Sequence, residues 1–481
     1  MAVAVQTMST EPSRISRRSF LLGSAGVALT VATGSSLRAG NIEEHRIVAA
    51  PGKAHLIGPD RPLTNVWSYD GEIPGRTLRL RQGEPVRIVV ENRLDEDTTI
   101  HWHGIRLPNT MDGVPGLTQT PIKPGGTFIY EFTPPDAGTF WYHPHADSLQ
   151  QLGRGLAGVL IVDEPEPPAF DRDVVWMLTD WRLTPEGQIA PGFGNSMEAA
   201  MSGRVGNMVT LNGTLPSDQS VQAGERIRLR LVNSSLARIM ALRIEDHRPV
   251  IVAIDGQPCE PHEPEGGRLF LGPAMRIDLM IDMQGKPGNR YAVIDDYYDG
   301  PAYTLTHLAY GNGPSIRASI ERPLALTRNP LPEPQLATAL RHALTLQGGM
   351  MGGGALSGVG GMNMPGMAHG AAWAINGTSM TGDGHAGMTP LLTLARGQTC
   401  LLTLRNETAW WHPMHFHGHS FKVLSRNGTP VPHDQWNDTV LLAPKDVVEC
   451  AFVADNPGDW MLHCHVIDHQ MAGLMTVLRV A

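Results

Sequence analysis

Long apolar runs are almost absent from this sequence of 481 residues. The one run of note, from Leu21 to about Thr33, is shorter than the roughly 20 residues a membrane-spanning helix needs. Nothing else in the chain reads as a transmembrane segment. Excess positive charge is also missing: the formal net charge is −9 and the pI is near 6.1, which argues against a nucleic-acid surface. Aromatic residues make up only 6%, whereas glycine (53) and proline (38) are abundant. That balance fits many short strands joined by turns better than a helical bundle. Cysteine is scarce, with four in all, and Cys464 lies inside a histidine run. Cys259, Cys400 and Cys450 are left, so at most one disulfide can form among them. Buried free thiols are the expectation, although Cys400 and Cys450 fall in predicted strands of one domain.

What is present is repetition. The length suggests about three domains. The segment Gly83 to Asn92 resembles Gly224 to Asn233 and Gly397 to Asn406, each a turn glycine followed by an aliphatic strand. A second element, Gly138-Thr-Phe-Trp-Tyr-His143, matches Gly458-Asp-Trp-Met-Leu-His463. Such repeats predict an all-β chain of three consecutive β-sandwich domains. Proline-rich linkers at 164–168 and 323–334 place the domains at 41–165, 166–325 and 335–481, with a Gly/Met insert at about 348–370. Residues 1–40 read as a leader. Ser16-Arg17-Arg18-Ser19-Phe20-Leu21 has the twin-arginine export pattern, and cleavage near Ala39 predicts a periplasmic protein that engages the twin-arginine machinery.

More than half of the 20 histidines fall in four short runs: HWHG at 101–104, HPH at 143–145, HPMHFHGH at 412–419 and HCHVIDH at 463–469. Their spacing follows the repeat. An offset of 314 relates Gly83 to Gly397 and His101 to His415, and an offset of 320 relates Gly138 to Gly458 and His143 to His463. The middle domain has Leu242-Arg243-Ile244 where the first pair would fall. In an extended segment, residues i and i+2 share a face about 6.7 Å apart. Two His-x-His pairs from each outer domain therefore aim eight imidazoles at one interface, a set that suits a trinuclear copper cluster. Alternation turns Cys464 away from His463 and His465. With His412 and His469 it makes a His₂Cys set, the blue-copper arrangement.

These runs resemble the signature motifs of the multicopper oxidases, the family of laccases and copper-efflux oxidases, and the resemblance covers nearly all of the mature chain. It implies three cupredoxin-like Greek-key domains and four copper ions. The type 1 copper would take His412, Cys464 and His469, and the type 2 copper His101 and His415. The type 3 pair would take His103, His143, His145, His417, His463 and His465. Pro144 stands where Cys464 stands in the third domain, so a single blue copper is expected.

The family's axial position beside the blue copper falls on Leu474, which cannot ligate and should raise the potential; Met475 is the alternative. Asp112 matches the family's acid near the type 2 copper, a proton source for dioxygen reduction. The family's second acid is replaced by Gln470, which leaves Asp468 as the nearby carboxylate. Asp438 is expected to anchor a turn. Met350, Met351, Met362, Met364 and Met367, followed by Met380, His385 and Met388, offer thioethers suited to Cu(I). Met197, Met201 and Met208 are expected to pack in the second domain.

The implied activity is a laccase-like oxidation of phenols or aromatic amines coupled to reduction of O2 to water. The rival is a cuprous oxidase that protects the envelope. A ligand-free scaffold is disfavoured by the complete ligand set. A copper store would need thioethers but not the His-Cys-His wiring. Since three domains close both sites within one chain, a monomer is expected.

Overall fold

The three turn glycines that head the repeat all adopt left-handed backbone, with φ of 77° at Gly83, 81° at Gly224 and 82° at Gly397. An L side chain is strained there. Each turn feeds a strand: Val86–Asn92, Arg226–Asn233 and Thr399–Asn406. Each of these pairs in parallel with an earlier strand (Glu43–Ala54, Arg172–Trp181 or Leu340–Gly348) and antiparallel with a later one. The same mixed sheet is thus built three times. This computed structural model describes residues 42–298, 303–317, 325–351, 371–382 and 385–481.

A second sheet closes each sandwich and carries the second repeated element. Gly138–His143 pairs antiparallel with His101–His103, and Gly458–Cys464 with His412–Phe416. The middle domain repeats this arrangement with Arg290–Asp295 beside Met240–Ile244. The sheets hold four and four, six and five, and seven and five strands. Inward side chains alternate with outward ones, as along Val86–Asn92, and both sheets of the first sandwich feed one core through Ile88, Tyr130, Trp102 and Phe140. Trp102, Trp141, Trp373 and Trp460 are fully buried, and each withdraws roughly 200 Å² from water. Among the described residues no helix is long and apolar enough to cross a membrane.

Buried arginines of the middle sandwich tie it to both neighbours. Asp278 takes the Arg228 and Arg230 guanidinium groups at 2.7 and 3.2 Å and also accepts the Thr139 hydroxyl of the first sandwich at 2.6 Å. Arg276 reaches Asp438 of the third sandwich through Nη1, 2.9 Å from Oδ1. Charges this deep add little net stability, but removing one partner strands the other.

All four cysteines are buried free thiols. Cys400 lies opposite Phe452, and Cys450 opposite Leu402. The two are therefore diagonal neighbours, about 7–8 Å apart, beyond the reach of a disulfide.

The second repeat is also a docking point. Gly138 has φ of 153°, and a Cβ there would lie 2.2 Å from the Gly256 carbonyl oxygen of the middle sandwich, whereas nothing lies within 4 Å of one at Gly83. Gly138→Ala is expected to lower stability by about 2–3 kcal/mol and Gly83→Ala by about 1 kcal/mol. Denaturant midpoints of the two variants check the difference; equal values would contradict the interdomain contact.

Candidate metal centres

Strand pairing sets His101 directly across from His143 and His415 directly across from His463. The first and third sandwiches then meet with these edges face to face. Asn109 Nδ2 donates to the Asp459 carbonyl at 2.8 Å and Asn456 Nδ2 to the Leu107 carbonyl at 2.9 Å, which fixes that meeting. Rings from the two domains stack: His103 on His415 with centroids 3.7 Å apart, His101 on His417 at 3.9 Å. All eight imidazoles are buried.

Each ring has two nitrogens, and the protein ties one of them in six of the eight. Nδ1–H of His101 donates to the Asp112 carbonyl at 2.8 Å, that of His143 to Pro144 at 2.9 Å, that of His415 to Asp438 at 2.9 Å and that of His463 to Cys464 at 2.9 Å. His417 Nδ1–H donates to Asp112 Oδ2 at 2.9 Å. His103 is reversed: its Nε2–H donates to Asp438 Oδ1 at 3.2 Å. A carbonyl or carboxylate can only accept, so these tautomers are set and the opposite nitrogen keeps a lone pair.

Those opposite nitrogens point inward. His101 Nε2, His103 Nδ1, His143 Nε2 and His415 Nε2 have no partner, nor has either nitrogen of His145 or His465. His417 and His463 bring their Nε2 atoms to 3.0 Å of each other. Possible ligand atoms group within 4.8 Å as His103/His143/His465, as His145/His417/His463 and as His101/His103/His415. Burial, helped by neighbouring imidazoles, pushes His103, His143, His145, His417, His463 and His465 well below the ordinary histidine value. The rings are therefore neutral, the form in which histidine binds metal. Unpartnered lone pairs in a buried space fit bound cations, and an all-nitrogen donor set fits copper.

The second centre lies on the other face of the strand Gly458–Cys464. Cys464 Sγ is 3.5 Å from His412 Nδ1 and 3.7 Å from His469 Nδ1, and those two nitrogens are 3.1 Å apart. The outer nitrogens are held: His412 Nε2 lies 2.9 Å from Thr408 Oγ1, and His469 Nε2–H donates to the Met201 carbonyl at 2.8 Å. Trp373 packs on both rings at 4.9 and 4.4 Å. Burial raises the Cys464 thiol well above its ordinary value, so a cation beside it is what would draw out the thiolate. Leu474 joins the buried core that contains Cys464, whereas Met475 packs on the opposite side with Val114 and Met461.

The acids separate sharply. Asp112 touches two of the eight rings: besides its bonds to His101 and His417, its Oδ1 lies 3.2 Å from His101 Nδ1. Asp468 does not join them. Its Oδ2 accepts the Arg204 backbone N–H of the middle sandwich at 2.8 Å, and burial pushes its carboxyl up to about 6. Gln470 is buried, and neither end of its amide has a partner. Asp438, expected only to anchor a turn, binds the cluster from behind through His103 and His415 while its carboxylate pairs with Arg276. Burial opposes its charge, but Arg276 holds the Asp438 carboxyl well below the usual range; burial and the neighbouring Asp438 carboxylate push Asp255 up to about 7. Arginines at 226, 228 and 230 alternate along an apolar strand and call for buried acids, but those acids are Asp282, Asp278 and Asp173 rather than Asp438.

The methionines divide as well. Met350 lies near the second centre, since its carbonyl accepts Trp410 Nε1–H at 2.8 Å, and Met351 is 80% exposed. Met380, His385 and Met388 lie on the cluster side instead. Met362, Met364 and Met367 fall outside the described residues, as does the segment 1–41. Met197 is 60% exposed rather than packed, because it opens a short surface helix, Ser196–Ala199.

Three family models, each described as multicopper oxidase, match residues 53–167, 172–312 and 362–481. Multicopper oxidase MmcO of Mycobacterium tuberculosis is 29% identical, over 95% of this chain and 91% of that protein. The crystal structure of a multi-copper oxidase from Pseudomonas thermotolerans is 36% identical, with a TM-score of 0.80 over 92% of this chain and 99% of that one. A laccase-like multi-copper oxidase, CueO of Ochrobactrum sp., is 25% identical, with a TM-score of 0.74 over 91% and 97%.

Asp438→Asn removes the charge that Arg276 and the two histidines share. It is expected to cost about 3 kcal/mol or more and to lower copper content at the eight-histidine centre while the blue absorption survives. Copper analysis with visible spectra checks this; full copper content and an unchanged unfolding midpoint would contradict the assigned contact.

Proposed function

The chain belongs to the multicopper oxidase family, copper-dependent oxidoreductases that use O2, and we propose that within it this protein is a laccase-like oxidase of phenols or aromatic amines. One observation carries the reading. A cavity of about 520 Å³ opens between the second and third sandwiches, walled by Phe270, Tyr297, Tyr298, Trp410 and Trp411 and floored by Val466. Val466 N–H donates to Cys464 Sγ at 3.4 Å, so the cavity ends one residue layer from the thiolate. Aromatic walls favour stacking of an aromatic donor. The oxidase activity towards lignin model compounds named for the Ochrobactrum protein is in keeping with such a donor.

In this reading the chain holds four copper ions. His412, Cys464 and His469 hold the type 1 ion, and His101 and His415 the type 2 ion. His103, His143 and His465 would hold one type 3 ion, and His145, His417 and His463 the other. Bound copper supplies one-electron chemistry: four electrons from the donor, with four protons, convert O2 to two waters. The backbone from Cys464 to His463 and His465 links the two centres. Asp112 orients His101 and His417 and stands where a carboxylate can hold a proton for the product. Leu474 offers no donor atom, so only His412, Cys464 and His469 would hold the type 1 ion. The twin-arginine pattern at 16–21 supports an exported, periplasmic protein, and the closing of both sites within one chain supports a monomer.

A cuprous oxidase is the second reading. It is favoured by Met350, the first methionine of the Gly/Met segment, whose N–H donates to the Ala200 carbonyl at 2.7 Å, next to the Met201 carbonyl that accepts from His469.

Oxygen uptake by the copper-loaded protein, with a simple phenol and with Cu(I) supplied separately, tests the choice. Rapid phenol turnover without free copper is the expected result. Rapid Cu(I) oxidation with little phenol turnover would transfer the assignment to the second reading. Leu474→Met is expected to keep the blue absorption, lower the type 1 potential and slow phenol oxidation several-fold, as read by redox titration and steady-state rates. An unchanged potential would remove Leu474 from the type 1 site.

A further inference from the structure

One buried histidine has no part in either centre as described. His385 is fully buried, and neither of its ring nitrogens has a hydrogen-bond partner. Its ring stands edge-on to His145 with centroids 5.7 Å apart. Leaving a buried polar group unmatched costs on the order of 1–3 kcal/mol, so the position calls for something to bind.

Around it the apolar residues are unusual in kind. Met461 lies two residues before His463 on the same strand face, and Met475 lies directly across from His463. Both are fully buried, and Met380 and Met388 pack against them together with Val114 and Leu117. The stretch that carries Met380, His385 and Met388 is held in place. Met380 N–H donates to the Gly473 carbonyl at 3.3 Å, Gly382 N–H to Met471 at 3.0 Å and Met388 N–H to His385 at 3.4 Å. Met380 and Met388 are half-buried, so the thioether cluster runs from the surface to the buried Met461 and Met475, and His385 borders it through Ala386, which packs on Gly116 between Val114 and Leu117. Leucine would fill the same space. Thioether sulfur with a free imidazole nitrogen is the donor set of a soft monovalent cation.

We propose that His385, with thioethers drawn from the cluster of Met380, Met388, Met461 and Met475, binds one Cu(I) ion beside the eight-imidazole centre. The site rests on the reading of His145 and His463 as cluster ligands and is separate from the cavity at the type 1 centre. Its ion is additional to the resident copper and reaches the type 3 side from solvent through Met380 and Met388.

Silver(I) is the probe, because the enzyme would oxidise Cu(I) during the measurement. The copper-loaded wild-type protein is titrated with Ag(I) alongside the His385→Phe and Met380→Leu/Met388→Leu variants, with copper content checked before and after. The expected result is one Ag(I) per chain bound at micromolar concentration without loss of copper, weakened at least tenfold in both variants. The double variant conserves volume and should fold and retain blue absorption and phenol-driven oxygen uptake. Those two signals report on the oxidase reading independently of silver. No Ag(I) bound by the wild type, or Ag(I) bound equally by all three proteins, would overturn the site.

Discussion

An imidazole serves best as a metal ligand when one nitrogen is fixed by the protein and the other is left free to face the ion. That constraint organises this molecule. Six of the eight cluster rings are tied from behind, five through Nδ1 to a carbonyl or to Asp112 and one, His103, through Nε2 to Asp438. The acceptors come from turns and strand ends of both outer sandwiches. Neither sandwich could complete the centre alone, so the ligand set and the domain interface are the same object.

The middle sandwich has no cluster histidine, yet it is part of the support. Arg276 reaches across to Asp438, and Asp255 accepts the Thr439 N–H at 3.0 Å. Asp438 in turn holds His103 and His415. A domain that lost its ligands thus retains a mechanical role, and it also supplies one wall of the aromatic cavity and the Met201 carbonyl that caps His469. Alternation along one strand does the remaining work: His463 faces the cluster, Cys464 faces the opposite core, and the two centres are separated by a single peptide backbone.

Much of this was legible because β-structure has a period of two and the chain repeats itself. Equal offsets of the glycines and histidines led to three sandwiches and placed His101 and His415 in equivalent strands. The same periodicity separates Leu474 from Met475, which the structure sends to opposite faces. The division of six imidazoles into two groups of three was not legible, because it depends on ring rotation and on which nitrogen is tied. The role of Asp438 emerges only in the fold, since its partner Arg276 lies 162 positions away in another domain. Asp468 looked like a second acid by proximity in sequence, but the short helix Ile467–Met471 turns it toward Arg204. The methionines after the Gly/Met segment looked continuous with it, whereas packing carries Met380 and Met388 to the other centre.

The central claim is that copper occupies an interface whose ligands are aimed by hydrogen bonds behind them. Anomalous X-ray scattering at the copper edge from crystals of the copper-loaded protein tests it most directly. The expected map has three peaks between the outer sandwiches, within bonding distance of the unpartnered nitrogens of His101, His103, His143, His145, His415, His417, His463 and His465. A fourth peak should lie among His412, Cys464 and His469. Copper bound at the tied nitrogens, or a void between the sandwiches left without copper in a fully loaded, active protein, would contradict it.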